Sequence, residues 1–215
     1  VHGVTDFDRL HIPFRAVASD IGSGKPVVIK AGDLAAAMRA SMAVPGAFAA
    51  AEIDGLLLVD GGITNNLPID VVRDMGADIV IAVDISSPYA PADTINNLFS
   101  ITVQLTNILT RTNADQQIAS LTGRDVLIVP NLGDFTSGDF TRAAEIMPLG
   151  RGAAEAQRDK LANLTLPDGA YRDYLQTHAN RPGADVPIVH FVRIKNDSTV
   201  DDGMIRDRLH QRLDE

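Results

Sequence analysis

The chain has 215 residues, 45% of them hydrophobic, and carries 19 Lys and Arg against 28 Asp and Glu, a net charge of -9. This size and apolar content can form one sizeable core and little more than an appendage. The negative balance repels phosphate backbones, so nucleic acid is not expected as a partner. The absence of cysteine excludes disulfides and thiolate chemistry. The sequence has no run of about 18 apolar residues that could span a bilayer, and no signal-peptide pattern.

Short apolar runs rich in Val, Ile and Leu recur along the chain and predict buried strands. They are FRAVAS at 14–19, PVVIK at 26–30, LLLV at 56–59, IVIAV at 79–83 and VLIVP at 126–130. Helical patterns separate them. Asp33 is placed to cap a helix that runs to about Met42, and Pro68 suits the first turn of a helix over 68–75 that ends at Gly76. The alternation predicts an α/β fold with a largely parallel sheet.

A longer helix is predicted over 95–121, where apolar residues recur at spacings of three and four. They are Leu98, Ile101, Leu105, Ile108 and Leu109. Because few cations accompany this face, we expect it to pack in the core rather than to contact lipid.

The segment ANRPGADVP at 179–187 has the Pro and Gly content of a linker, and it follows a helical pattern that contains Tyr171, Tyr174 and Leu175. After it, IVHFVRIKN predicts a strand and DDGMIRDRLHQRL an amphipathic helix. These residues are too few to form a core of their own. We therefore expect 188–215 to be the start of another, truncated domain.

The stretch LLLVDGGITNNLP, residues 56–68, places Asp60 at the carboxyl end of a predicted strand. The helix that follows leads to IVIAV, so a right-handed βαβ unit is expected. Ligands bind outside the carboxyl ends of strands in open α/β sheets, which makes Asp60 a candidate for chemistry. Gly61 and Gly62 can take positive φ and leave room for a substrate or a second catalytic group. Asp-Gly is also a common turn dipeptide, so spacing alone leaves a plain turn equally open.

Three segments in this order and spacing resemble the second half of the patatin-like phospholipase family: RASMAVPGAF (39–48), LLLVDGGITNNLP and GADIVIAVDIS (76–86). Segments from FRAVASDIGSGKPVVIKAGDL to LGRGAAEAQRDKL extend the resemblance over roughly 5–176. The resemblance implies a three-layer α/β/α fold with a largely parallel central sheet, here without its N-terminal portion. Residues 1–178 would be the C-terminal part of that domain. The chain also opens at Val1 without a methionine, and we expect a fragment of a longer protein.

The same resemblance implies a lipid acyl-ester hydrolase of the phospholipase A type, which uses a Ser-Asp dyad and no metal or organic cofactor. Asp60 matches the family's catalytic aspartate, with Gly61 and Gly62 in the active-site loop. A serine hydroxyl needs a base, and a carboxylate can accept its proton when held within about 3 Å. The implied partners are a phospholipid or another lipid ester, the missing N-terminal part of the domain and, transiently, a membrane surface.

The family's nucleophile sits in a G-x-S-x-G turn and its oxyanion hole in a glycine-rich loop, and the 215 residues contain neither. Ser23 and Ser137 lack the first glycine of such a turn. Ser41 is expected to help a helix end turn into the Pro45-Gly46 loop. We therefore expect the chain to supply Asp60 to an intact enzyme and to be inactive alone. The alternative is a non-catalytic patatin-like interaction or secretion module.

Other motifs are weaker. The five histidines show no metal-ligand spacing, and no metal site is predicted. GSGK at 22–25 lacks the first glycine and the Ser or Thr of a phosphate loop, which favours a turn between two strands. The segment VHFVRIKNDSTVDDGMIRDRLHQRL resembles the first strand and helix of a POTRA domain. Some bacterial patatin-like proteins carry such a domain and an outer-membrane barrel, which implies a secreted or outer-membrane location, with the cytoplasm as the alternative.

Overall fold

The computed structural model describes residues 5–86, 89–136 and 139–179, together with Gly203. The strands in these ranges are β1 (Ala16–Asp20), β2 (Lys25–Ile29), β3 (Ala51–Ile53), β4 (Leu56–Asp60), β5 (Ile81–Val83) and β6 (Val126–Ile128). The helices are α1 (Leu34–Ser41), α2 (Gly62–Asn65), α3 (Ile69–Asp74), α4 (Leu98–Ile118), α5 (Ala143–Glu155), α6 (Arg158–Ala162) and α7 (Asp168–Ala179). Short 3-10 turns lie at Phe7–Arg9, Ala92–Thr94 and Phe140–Arg142.

The strands form two sheets. One has the order β2-β1-β4-β3 with antiparallel neighbours throughout, and the other pairs β5 with β6 in parallel. The mixture of helices and sheets confirms the predicted α/β class. The strand directions correct the prediction of a largely parallel sheet, because β5–β6 is the one parallel pair among the described strands. The predicted βαβ unit is also corrected, since β4 and β5 lie in different sheets.

Two tight turns explain two of the three antiparallel pairs, β1–β2 and β3–β4. The GSGK segment lies in the turn between β1 and β2, where the N–H of Gly24 donates to the Asp20 carbonyl at 2.8 Å, as predicted for a turn between strands. Between β3 and β4, Asp54 and Gly55 have φ values of 51° and 77°. Positive φ at both positions is the requirement of the Asp-Gly hairpin turn. That dipeptide is the sequence signal for β3, a strand that the apolar runs did not predict.

The predicted helix boundaries are confirmed for the two short helices. Asp33 caps α1 by accepting a hydrogen bond from the N–H of Ala36 at 2.9 Å. Pro68 precedes α3, and Gly76 follows it with a φ of 91°, a conformation that favours glycine. Helix α1 packs against the four-stranded sheet in the main core. That core consists of Phe7, Ala16, Ala18, Ile29, Ala37, Ala40 and Leu58.

The prediction that α4 packs its apolar face in the core is wrong for the part of the chain that the structure describes. The five apolar residues of that face are between 42% and 80% exposed. Ala114, on another side of the helix, is fully buried. Helix α4 meets α2 instead, through polar side chains that hydrogen-bond to backbone, because those backbone groups need partners once buried. Its apolar face is left outside this contact.

After β6, the regular structure of the described chain is helical, and it ends with α7. Helix α7 confirms the helical pattern before the predicted linker, and the rings of Tyr171 and Tyr174 stack in it at 6.4 Å. Apart from Ala179, which ends α7, and Gly203, the linker at 179–187 and the POTRA-like segment at 188–215 lie outside the described residues. No helix within the described ranges is both long and apolar enough to cross a bilayer.

Candidate functional site

Asp60 is held at the end of β4 by hydrogen bonds on both sides of its backbone. It pairs with Ala18 of β1, and its N–H donates to the carbonyl of Ala43 at 3.0 Å. Its carbonyl accepts from the hydroxyl of Ser19 at 2.8 Å, and the hydroxyl oxygens of Ser19 and Thr64 are also 2.8 Å apart. The strand, the loop after α1 and helix α2 therefore all fix the position from which the Asp60 side chain projects.

The Asp60 carboxylate is partly buried, and its Oδ1 accepts a hydrogen bond from the N–H of Gly62 at 2.7 Å. Burial raises the pKa of Asp60 above its ordinary value, and the bond from Gly62 offsets part of that rise. The carboxylate therefore binds a proton more readily than an exposed aspartate does. This is the direction that a general base requires.

The two glycines after Asp60 are required by close contacts. Neither takes a positive φ, which corrects the conformational role predicted for them. A Cβ on Gly61 would lie 2.0 Å from the carbonyl oxygen of Val17 in β1. A Cβ on Gly62 would lie 2.7 Å from Oδ1 of Asn66 and 2.9 Å from Oδ1 of Asp60. The space they leave is occupied by the chain's own backbone and side chains.

A cavity of about 420 Å³ opens beside the turn. Its wall combines the Asp60 carboxylate with polar and apolar side chains. The polar ones are Arg15, Ser41, Asn65 and Asn66, and the apolar ones include Phe14, Met38, Met42 and Pro68. A pocket with mostly apolar walls and a few polar groups beside a titratable residue is typical of a small-molecule site. This cavity could hold an acyl chain against its methionines with a polar group near Asp60.

The serines considered in the sequence fall in different places. Ser41 is the last residue of α1, its carbonyl accepts the N–H of Gly61 at 3.2 Å, and it lines the same cavity as Asp60. Ser23 lies in the β1–β2 turn, where its hydroxyl donates to the carboxylate of Asp20 at 2.6 Å. The structure thus brings Ser41 to the site, whereas Ser23 serves its own turn. Ser137 lies outside the described residues.

Helix α4 supplies a contact to this site that the sequence interpretation missed. The amide of Asn113 donates to the carbonyls of Gly62 at 2.8 Å and Ile63 at 3.2 Å, and its oxygen accepts from the N–H of Asn66 at 2.7 Å. One side chain from a distant helix therefore binds three backbone groups of the turn after Asp60.

A pattern in the sequence could have revealed this face of α4. Thr110, Asn113 and Gln117 follow one another at spacings of three and four, so they form a polar stripe on one side of the helix. Gln117 accepts from the N–H of Asp70 at 3.1 Å, and Ala114 beside the stripe is fully buried. The apolar residues of α4 show the same periodicity, and the prediction that rested on them alone assigned the wrong face of the helix to the contact.

A second carboxylate follows β5. The Asp84 side chain is buried, accepts from the N–H of Ser86 at 2.9 Å and lies 3.6 Å from the guanidinium of Arg111. The amide of Asn66 donates to the Ser86 hydroxyl at 3.2 Å. The turns after β4 and β5 therefore lie side by side although the strands belong to different sheets. Within the described ranges, no three His, Cys, Asp or Glu side chains are grouped so that they could hold a metal ion.

Comparison with known proteins gives this site a context. A model of the patatin-like phospholipase family matches residues 3–73, which include Asp60 and both glycines. A protein of Mycobacterium tuberculosis described as an uncharacterized NTE family protein is 44% identical over 88 residues, which cover 41% of this chain and 24% of the relative. Patatin-like phospholipase domain-containing protein 7 of Mus musculus is 44% identical over 82 residues, which cover 37% of this chain and 6% of that protein.

The same identity and coverage hold for patatin-like phospholipase domain-containing protein 6 of Homo sapiens. The resemblance to the patatin-like phospholipase family is thereby confirmed, and residues 3–73 are a patatin-like segment. The chain spans about a quarter of the length of the mycobacterial relatives it matches.

Proposed function

We propose that the intact protein hydrolyses lipid acyl esters with a Ser-Asp dyad in which Asp60 is the general base. The observation that supports this best is the Asp60 carboxylate, held at a strand end beside a cavity of about 420 Å³ within the patatin-like segment. The methionines and Phe14 of the cavity wall suit an acyl chain. The substrate class is a phospholipid or another lipid ester.

The reaction needs one proton acceptor and no redox partner. The serine oxygen attacks the ester carbonyl while its proton passes to the Asp60 carboxylate, and the carbonyl π electrons move to the oxygen of a tetrahedral intermediate. Collapse expels the alcohol, which takes the proton from Asp60. Water then attacks the acyl-serine, with Asp60 accepting and returning a proton in the same way, and the fatty acid leaves. A carboxylate whose pKa is raised by burial is better suited to these transfers than an exposed one.

The nucleophilic serine of this proposal lies outside the 215 residues, which contain no G-x-S-x-G turn. Purified as it stands, the chain is expected to show no turnover of a chromogenic acyl ester, because loss of nucleophile and oxyanion donors costs orders of magnitude each. Turnover by the purified chain that disappears in Asp60→Ala would contradict this expectation. Ser41 would then be the first candidate nucleophile, since it shares the cavity.

Substitution of Asp60 in the intact protein tests the proposal. Asp60→Asn keeps an oxygen for the N–H of Gly62 and removes the base, so the kcat for ester hydrolysis should fall by about 10² or more. Its thermal midpoint at neutral pH should equal or exceed that of the wild type, because the partly desolvated charge is gone. Asp54→Asn, on the exposed β3–β4 turn, is the matched control and should keep full activity. Full activity in Asp60→Asn at an unchanged midpoint would leave Asp60 with only a structural role and contradict the dyad, whereas no turnover by the intact wild type would favour a non-catalytic module.

The domain boundary, the POTRA-like tail and the bacterial secreted or outer-membrane location remain proposals. They rest on the composition of 179–187 and on the pattern of 188–215. Limited proteolysis of the chain should cut first near Arg181 or within the tail and leave residues 1 to about 176 intact. If the tail is as protected from hydrogen exchange as β5, then it is part of the same domain. The proposed secreted or outer-membrane location would then have no basis.

A further inference from the structure

Both the nitrogen and the oxygen of the Asn113 side-chain amide form hydrogen bonds with one short segment of backbone. The two donor contacts reach the carbonyl oxygens of Gly62 and Ile63 at 2.8 and 3.2 Å, and the acceptor binds the N–H of Asn66 at 2.7 Å. The residues it joins are about 50 positions away in sequence, so this is a tertiary contact. A side chain with a donor and an acceptor is required here, since Asp has no donor and Lys no acceptor.

Gly62 connects this amide to the carboxylate. Its N–H donates to Oδ1 of Asp60 at 2.7 Å, while its own carbonyl accepts from Asn113. The space around Gly62 is also closed on the α4 side, where an added Cβ would lie 3.1 Å from the methyl carbon of Thr110. Gly62 therefore carries both hydrogen bonds, and a displacement of its backbone that lengthens the bond to Asn113 also shifts the N–H that binds Asp60.

We propose that Asn113 is a positioning residue for the reaction, which holds Gly62 so that its N–H fixes the orientation of the Asp60 carboxylate. The inference rests on the proposed role of Asp60 as base. A base works only when its oxygen is held within hydrogen-bonding distance of the hydroxyl, and a displacement of about 1 Å can cost about 10² in rate. The hydrogen bonds from Asn113 to this turn are therefore expected to affect the chemical step more than substrate binding.

The first test compares Asn113→Leu with Asn107→Leu in the intact protein, assayed with a chromogenic acyl ester. Asn107 lies on the same helix, and its side chain makes no hydrogen bond to the turn among the described residues. Asn113→Leu should lower kcat about tenfold or more with KM changed less than about twofold, whereas the control keeps both values. If Asn113→Leu fails to fold, Asn113→Asp, which keeps the acceptor for the N–H of Asn66, takes its place. An unchanged kcat in a folded Asn113 variant overturns the proposal.

The second test repeats the substitution in the Asp60→Asn background. If Asn113 acts through Asp60, the double variant is no slower than Asp60→Asn alone, because the base it positions is already absent. An equal further loss in that background overturns the positioning role and makes Asn113 a support of the fold. Full activity of Asp60→Asn alone overturns instead the proposed function, so the two failures are distinguishable.

Discussion

In the turn after Asp60, two positions require glycine because neighbouring atoms leave no space for a side chain. Gly61 lies directly against the β1 backbone, and Gly62 fits between Asp60, Asn66 and helix α4. Both positions have ordinary backbone conformations, so steric exclusion is the reason that glycine is needed there. This close packing allows the N–H of Gly62 to reach the carboxylate that it orients.

Gly61→Ala should destabilise the fold by about 3 kcal/mol or more, because the new Cβ would lie 2.0 Å from a backbone oxygen that can move only with β1. Gly123→Ala is the matched control, since its Cβ meets nothing within 4 Å and it is not among the positive-φ glycines. Chemical denaturation of both variants measures the difference. Equal stability of the two would mean that the turn yields without cost and that steric exclusion is not the reason for glycine at 61.

At the scale of elements, α4 has two different faces. A polar stripe with Asn113 and Gln117 binds the turn after β4 and the start of α3, and Ala114 beside it is buried. The apolar face that dominates the sequence pattern is largely exposed in the described structure. Hydrophobic periodicity therefore identified the helix correctly but not the surface through which it packs.

A pair of substitutions on α4 tests this assignment in the 215-residue chain. Leu105→Gln, at a side chain that is 57% exposed, should change the free energy of unfolding by less than about 0.5 kcal/mol. Ala114→Leu, on the fully buried side, should destabilise by about 1–3 kcal/mol because it forces extra volume into the packed side of α4. Thermal or urea unfolding provides both values. A larger destabilisation by Leu105→Gln than by Ala114→Leu would mean that the apolar face of α4 packs in the core.

At the scale of the whole molecule, Asp125 ties together parts of the chain that are far apart in sequence. Its buried carboxylate accepts from the N–H groups of Thr122 at 2.7 Å and Val80 at 2.8 Å, and it pairs with the guanidinium of Arg73 at 2.5 Å. These bonds join helix α3 to the β5–β6 sheet. The N–H groups of Thr122 and Val80 hold the pKa of Asp125 far below its usual range.

The lowered pKa of Asp125 makes the stability of the fold depend on pH, with a sign that follows from the direction of the shift. The folded state binds a proton on Asp125 more weakly than the unfolded state does, because the pKa of an Asp side chain in the unfolded chain is about 3.9. The stabilisation is therefore complete above about pH 4 to 5 and is lost as the pH falls toward the folded-state pKa. Asp125→Asn should lower the thermal midpoint at pH 7 by roughly 4 °C or more. The difference from the wild type should shrink as the pH falls to about 3.

Melting curves of the wild type and Asp125→Asn across this pH range check the prediction, with the exposed Asp78→Asn as the control for loss of one carboxylate. A midpoint difference that stays constant from pH 7 to 3 would contradict the linkage, because it would mean that the native carboxylate titrates at its unfolded value.

Local signals in the sequence determined the α/β class, most strands, the caps of α1 and α3 and the position of Asp60 at a strand end. Each depends on neighbouring residues, through apolar runs, an N-terminal Asp or a terminating Gly. The family resemblance depends on a slightly longer pattern of the same kind.

Only the tertiary structure decided the strand directions, the exposed face of α4 and the role of the two glycines. Two tight turns made antiparallel hairpins where alternating strands and helices suggested a parallel sheet. Asn113 joined the site through hydrogen bonds across about 50 residues, and Gly61 proved necessary because another strand lies against it. These features depend on which backbone groups meet in space, a property that the order of neighbouring residues along the chain does not specify.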